Sequence, residues 1–320
     1  MKSFLDSVSS FLRFIRWPNL IIIILTQVLV RIAIIGPVYS QAGIQPALSN
    51  FLFILLVIVT VVTAAAGYII NDYFDVETDK VNKPESLFVS GFFSEKMVFR
   101  LYYFLNGFAI VAGFYLSWMV GAWRLGMIFP MIILLLWLYS ERYKKLLLAG
   151  NLVVAFLSAI VPVIVWLFEF FALRLQAGNF MMVYTSLHLI TKVVLVFTCF
   201  AFLLSLVREI VKDAEDAEGD LKAACQTLPL VYGMAVTRRL AVLLLVLTMV
   251  LIGFFSWSLF EFQLTIPSLY FILAVGVPLV FIAFKVLKSE SKADFHFVSL
   301  LMKLVMLIGI LGMIPLAICL

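Results

Sequence analysis

The chain has 320 residues, of which 65% are hydrophobic and only 13% are charged, and its formal net charge is +5. Soluble globular proteins are about 45–50% apolar and about 25% charged, so this composition excludes a water-soluble domain and indicates a polytopic membrane protein. The positive charge fits contact with anionic lipid headgroups, and nothing in the sequence suggests nucleic-acid binding.

In chain order, segment 1–17 is predicted to be an amphipathic helix on the membrane surface, because its apolar residues recur at helical spacing. Nine apolar stretches of spanning length follow: 18–37, 49–71, 99–119, 122–140, 151–171, 190–208, 239–258, 268–287 and 297–319. We therefore predict an all-α fold, a polytopic membrane helical bundle of about nine transmembrane helices. Residues 1–320 are expected to form one domain, with segments 72–98 and 209–238 as motif-bearing loops.

The basic residues predict the orientation of this bundle. Most of the 23 Lys and Arg residues fall before the first predicted span or in the segments after the second, fourth, sixth and eighth. Because cytoplasmic loops carry the excess of basic residues, the N-terminus and these segments are expected on the cytoplasmic side of the membrane, and the C-terminus outside.

Two acidic motifs of identical spacing follow the second and sixth predicted spans. Asp72, Asp75 and Asp79 form the first, and each has a counterpart 141 residues later, in Asp213, Asp216 and Asp220. Steps of three and four residues place each set on one helix face, and Glu209 extends the second set by one turn. The repeat predicts two pseudo-repeated halves that bring both motifs to a central cavity.

Facing carboxylates repel one another unless a cation lies between them. Oxygen ligands suit hard cations, and Mg²⁺ typically completes its coordination shell with phosphate oxygens. The pattern therefore favours an Mg²⁺-bridged diphosphate whose apolar tail lies in the membrane, as in a prenyl diphosphate. Five basic side chains are candidates for holding the diphosphate: Lys83, Arg142, Lys144, Lys145 and Lys212.

These residues resemble the UbiA superfamily of intramembrane prenyltransferases. Its first motif, N-D-x-x-D-x-x-x-D, matches Asn71, Asp72, Asp75 and Asp79, and its second matches Asp213, Asp216 and Asp220. The resemblance implies that the six aspartates are catalytic residues that bind Mg²⁺ and the prenyl diphosphate. It also implies that Asn71 supports them.

The stretch "REIVKDAEDAEGD", followed by "TLP", is similar within this superfamily to the digeranylgeranylglyceryl phosphate synthases. That likeness implies transfer of a geranylgeranyl group to a lipid glycerol phosphate, geranylgeranylglyceryl phosphate, with release of diphosphate. "RWPN" matches the N-terminal R-x-x-N of the same group, which adds Arg16 and Asn19 to the expected substrate-binding residues. In two places the chain departs from the family pattern: Ser86-Leu87 replaces Arg-Pro, and Ala224 replaces a glycine.

Other readings remain open at the level of sequence. The acceptor could be an aromatic ring of the quinone, tocopherol or chlorophyll type, because the second motif recurs in such prenyltransferases. The acidic clusters could instead belong to a divalent cation transporter, although transporter sites usually lie near the midplane of the membrane. Arg31, in the first predicted span, either faces a cavity or extends to the outer surface. Tyr139 and Tyr143 either line the mouth of the active site or belong to the interfacial aromatic belt.

Overall fold

The computed structural model describes residues 4–76, 93–222 and 224–319. Nine helices in this part of the chain are long and apolar enough to cross a membrane, which confirms the predicted all-α bundle. We number them as spans 1 to 9: Trp17–Gln41, Asn50–Phe74, Glu95–Met119, Trp123–Glu141, Ala149–Arg174, Leu187–Lys222, Leu228–Glu261, Thr265–Lys288 and Lys292–Cys319. A short helix, Ala177–Val183, precedes span 6.

Span 6 is the central helix of the bundle. Its 36 residues contact span 5 on one side and spans 7 and 9 on others. A helix of that length extends about 54 Å, whereas the hydrocarbon core of a bilayer is about 30 Å thick. Its acidic end therefore extends beyond the apolar layer while staying helical.

The length of span 6 corrects the prediction of a loop at 209–238. Span 6 continues through the second motif to Lys222, and span 7 begins at Leu228. The spacing of the carboxylates on one face is compatible with an unbroken helix, and nothing before Lys222 interrupts it. In the other predicted loop, 72–98, span 2 is helical to Phe74 and span 3 starts at Glu95, while 77–92 lies outside the described residues.

Within the segment 1–17, which was predicted to be helical, the structure has a helix at Phe4–Phe14. The last turn of this helix packs against the ends of spans 2 and 3. There Phe14 is 1% exposed, and its ring stacks on the Phe93 ring with 5.2 Å between the ring centres. Ile69 and Ile70 belong to the same buried cluster. This packing holds the turn at residues 15 and 16 next to the first acidic motif.

A buried polar cluster closes the opposite end of the bundle. Arg31 donates hydrogen bonds to the Leu48 carbonyl (2.7 Å) and to Asn50 Oδ1 (3.0 Å), and its guanidinium lies 4.5 Å from the centre of the Phe53 ring. Glu169 of span 5 accepts hydrogen bonds from two backbone N–H groups of the same loop. Arg31 is 7% exposed. It therefore neither lines the central cavity nor extends to the outer surface, but fixes the loop between spans 1 and 2.

Candidate active site

A cavity of about 330 Å³ lies between the spans. Its lining is polar at the end near the two motifs and includes Arg16, Asn71, Tyr139, Glu209, Lys212 and Lys303. Deeper in the bundle the lining is apolar and includes Phe129, Ile164, Phe197, Phe271 and Met313. A cavity with this distribution suits a ligand that has a charged head and a hydrocarbon tail.

The first acidic motif is held by two cationic side chains from other parts of the chain. Arg16 Nη2 lies 2.8 Å from Asp72 Oδ1, and Lys144 Nζ lies 2.5 Å from Asp75 Oδ1. Asn71 Nδ2 donates to the second oxygen of Asp75 at 2.7 Å. These contacts place Arg16, Asn71 and Lys144 at the motif. The remaining first-motif residue, Asp79, lies outside the described residues, as does Lys83.

Arg16 adopts an uncommon backbone conformation, with φ 51° and ψ 50°. The left-handed region costs a residue with a side chain about 1–2 kcal/mol, and such strain persists where the surroundings determine it. Here the guanidinium is fixed by Asp72 and lies 5.0 Å from the centre of the Tyr68 ring, whose hydroxyl accepts a 3.2 Å hydrogen bond from Asn19. Burial would lower the pKa of Arg16, but Asp72 outweighs burial and raises it above its usual value, so the side chain stays cationic.

The second acidic motif is held from span 5. Asn151 Nδ2 donates to Asp213 Oδ2 at 2.8 Å, and Asp216 and Asp220 follow half-buried on the same helix. One turn earlier, Glu209 is 9% exposed and forms a 2.6 Å ion pair with Arg208.

Side chains next to both motifs line the same cavity, among them Asn71 at the first motif and Lys212 at the second. Asp75 of the first motif is close enough to Asp220 of the second to interact with it electrostatically. Tyr139, which lines the cavity, interacts electrostatically with Asp75 and Asp213. Tyr143 is not among the residues that line the cavity. Tyr139 thus lies at the junction of the two motifs, and of the two tyrosines only this one fits the mouth of the site.

The turn Tyr143–Lys145 connects the two motifs physically. Lys144 contacts Asp75, while the Lys145 carbonyl accepts a 2.8 Å hydrogen bond from Gln226 N, just after the second motif. Gly150 allows this arrangement, since a Cβ there would lie 2.8 Å from Lys144 Cα. The side chains of Arg142 and Lys145 are exposed and do not line the cavity. Among the described residues, Lys144 is thus the one of these three cations that pairs with a motif carboxylate.

The donor atoms at the first motif fit a hard cation. Asn71 Oδ1 is buried without a hydrogen-bond partner, and the neighbouring ligand atoms are carboxylate oxygens, which are the donors Mg²⁺ prefers. Among the described residues no group of three His, Cys, Asp or Glu side chains is arranged to hold an ion as it stands. Arg16 and Lys144 occupy the positions next to the carboxylates where a cation would lie, so they would have to move for a metal to bind.

Sequence reasoning overlooked two residues of this site. Asn151 and Tyr68 lie inside apolar stretches, and neither belongs to an acidic motif. Asn151 is 7% exposed. A buried amide inside an apolar span needs a hydrogen-bond partner, and this requirement was the signal that could have identified it.

Ala224, which replaces the family's glycine, keeps the backbone conformation that favours glycine, with φ 52°. Replacing it with glycine removes the steric cost of the left-handed region, so we expect Ala224→Gly to stabilise the protein by about 1 kcal/mol. The measurement is thermal unfolding in detergent. Ala235→Gly, at an exposed helical position of span 7, is the matched control and is expected to destabilise. Equal destabilisation by both changes would contradict the strain at Ala224.

Comparison with known proteins gives a consistent result. The model of the UbiA prenyltransferase family matches residues 17–307. A digeranylgeranylglyceryl phosphate synthase of Methanosphaera stadtmanae is 32% identical over 283 residues, 87% of this chain and 88% of that protein. The enzyme of the same name from Thermococcus sibiricus is 30% identical over 262 residues, 81% of this chain and 82% of that protein.

Solved structures share the fold. A structure of digeranylgeranylglyceryl phosphate synthase matches with a TM-score of 0.67 at 24% identity and covers 98% of this chain and 100% of that chain. A UbiA homologue from Archaeoglobus fulgidus bound to DMAPP and Mg²⁺ matches with a TM-score of 0.56 at 15% identity, over 95% of this chain and 99% of that chain. At these identities the likeness establishes the architecture of the bundle.

Proposed function

Because this chain belongs to the UbiA prenyltransferase family, and is therefore an integral membrane enzyme that transfers prenyl groups, we propose that it transfers geranylgeranyl to geranylgeranylglyceryl phosphate. The donor is geranylgeranyl diphosphate, the reaction depends on Mg²⁺, and diphosphate is released. The product is an ether lipid.

The observation that carries this proposal is that side chains next to both acidic motifs, Arg16 and Asn71 at the first and Glu209 and Lys212 at the second, line the polar end of one apolar cavity. The relatives support the identity of the substrates: two of them are named for digeranylgeranylglyceryl phosphate synthesis, and the Archaeoglobus fulgidus homologue binds DMAPP and Mg²⁺. A single chain that places carboxylates next to an apolar cavity can bind both parts of a prenyl diphosphate.

In this proposal the residues that would hold Mg²⁺ are the six motif aspartates: Asp72, Asp75, Asp79, Asp213, Asp216 and Asp220. When bound, the metal would neutralise the negative charge that develops on the departing diphosphate. Arg16 and Lys144 move from the carboxylates to the diphosphate oxygens, where they add to the same neutralisation. Asn71 and Asn151 fix the orientation of Asp75 and Asp213 through the hydrogen bonds described above.

The reaction joins the acceptor hydroxyl oxygen to C1 of the prenyl group. The bond between C1 and the diphosphate oxygen breaks, its electron pair leaves with the diphosphate, and the hydroxyl proton is released. The apolar cavity wall excludes water from C1, which would otherwise compete with the acceptor. We also propose that the motif-bearing end of the bundle faces the cytoplasm, where the excess of basic residues lies.

The purified enzyme with geranylgeranyl diphosphate and Mg²⁺ is expected to prenylate geranylgeranylglyceryl phosphate and to leave aromatic acids unmodified. Product identity is measured by mass spectrometry, and omission of Mg²⁺ is expected to stop the reaction. Homogentisate is a suitable aromatic comparison because it offers a ring carbon as the acceptor and carries no phosphate. Product from the aromatic acceptor alone would refute the ether-lipid assignment.

A further inference from the structure

A second group of cationic side chains lines the cavity on the wall formed by spans 6 and 9. Arg208 and Lys212 are one helical turn apart on span 6, and Lys303 lies on span 9. Lys303 is within electrostatic range of the other two. We call Arg208, Lys212 and Lys303 the basic wall. A lysine inside an apolar span is unfavourable in lipid and commonly marks a substrate pathway.

The positive charge of the basic wall is only partly balanced. Arg208 pairs with Glu209 at 2.6 Å, and its Nε is buried without a hydrogen-bond partner. Within the described ranges, no carboxylate forms an ion pair with Lys212 or Lys303. Glu215 is the other acid that Lys303 faces, and it lies 2.8 Å from His296. Several donors at the basic wall are therefore available for an anion.

Both cations at the first motif, by contrast, are paired with carboxylates. Arg16 is paired with Asp72 and Lys144 with Asp75. Lys212 and Lys303 of the basic wall have no ion-pair partner among the described residues, although Lys212 lies within electrostatic range of Asp213 and Asp220. Two separate anionic groups fit such a cavity better than one.

An apolar surface continues from the basic wall into the bundle. Further along span 9 the residues that line the cavity are Met306, Gly309, Ile310 and Met313. They follow Lys303 at intervals close to one helical turn, so they share its face. A ligand at Lys303 can therefore lay a hydrocarbon chain along span 9.

We propose that the basic wall binds the phosphate of the acceptor lipid, with the acceptor's chain along span 9, separately from the diphosphate at the acidic motifs. This inference rests on the function proposed above and identifies Lys303 as a residue that determines acceptor specificity. Lys212 immediately precedes Asp213 on span 6, and Arg208 lies about one helical turn before Lys212. A phosphate held there keeps the acceptor hydroxyl close to the donor carbon, because in a glycerol phosphate the two groups are only a few bonds apart.

The test measures equilibrium binding of geranylgeranylglyceryl phosphate to the purified full chain, without Mg²⁺ and without donor. Lys303→Met is expected to weaken this binding by about tenfold or more, since a hydrogen bond from a charged donor to the phosphate is lost. Binding of the phosphate-free geranylgeranylglycerol is expected to stay the same, and so is the KM for geranylgeranyl diphosphate. Lys303→Arg is expected to retain most of the affinity.

Lys285→Met is the matched control. Lys285 also lies in a span, but its ammonium packs 5.7 Å from the Phe281 ring, and it does not line the cavity. If the wild type prenylates the phosphate lipid and Lys303→Met binds that lipid as tightly as the wild type does, the basic wall does not bind the acceptor phosphate. The proposed function would then still stand. Equal weakening for both lipids would also overturn it, because the defect would then be in packing. A wild type that neither binds nor prenylates the phosphate lipid would refute the proposed function, and this inference with it.

Discussion

Replacing Asp72 with asparagine is expected to lower the rate of prenyl transfer by about a hundredfold to a thousandfold, the usual effect of removing a group that stabilises transition-state charge. Asparagine keeps the size of the side chain but removes the negative charge that attracts a cation. Asp72 is held 2.8 Å from Arg16, so the change also removes the partner that positions this cation. Steady-state kinetics across a range of Mg²⁺ concentrations measures the loss. Asp213→Asn is expected to behave in the same way.

Glu141→Gln is the control for this prediction. Glu141 ends span 4 on the same side of the bundle, but its side chain is exposed and it belongs to neither acidic motif. We expect this variant to keep wild-type activity. All three variants are expected to remain folded in detergent, as measured by thermal unfolding, because the changes preserve side-chain volume. Wild-type rates for Asp72→Asn would rule out the first motif as a site of catalysis.

The second prediction concerns the apolar part of the cavity. Gly309 lines it, and a Cβ added there would meet no atom within 4 Å. Phenylalanine at this position can therefore enter the cavity without displacing the backbone of span 9. Overfilling a packed apolar site typically costs about 1–3 kcal/mol, and tenfold in binding corresponds to about 1.4 kcal/mol. We expect Gly309→Phe to reduce kcat/KM for the 20-carbon lipids by about tenfold to a hundredfold.

The same variant is expected to recover when the acceptor carries a shorter chain, because the new ring then has no hydrocarbon to displace. Gly107→Phe provides the matched control: this glycine is also helical and has no atom within 4 Å of its Cβ position, but it is exposed on span 3 and outside the cavity. Its activity is expected to match that of the wild type. If Gly309→Phe accepted full-length lipids as readily as the control does, the cavity would not hold their chains.

Much of this fold could be predicted because membrane-spanning helices are recognisable in a sequence as long apolar stretches. Each span must satisfy its backbone hydrogen bonds internally and bury about 20 apolar residues, so nine apolar stretches predicted nine helices. The prediction of a loop at the second motif was wrong, because that motif extends span 6, whose polar end passes out of the apolar layer. The repeated spacing of the aspartates drew attention to the two motifs in the sequence.

The sequence could not show which basic side chains contact the motif carboxylates. Arg142, Lys144 and Lys145 are close in sequence, yet among the described residues Lys144 alone contacts a motif carboxylate. The choice depends on a turn whose close approach to Gly150 brings one side chain inward. Lys303 gave no clear signal in the sequence either, because its role depends on the neighbouring helix that its side chain faces.

The sequence by itself determined the class of the protein, the number of its spans and the two acidic motifs, since these depend on local composition and on spacing along one helix. The tertiary structure alone decided which residues from distant segments meet: Arg16 with Asp72, Asn151 with Asp213, and Lys303 with the basic residues of span 6. Such pairings arise from how helices pack against one another. That packing depends on the shape of whole surfaces, which no short stretch of sequence specifies.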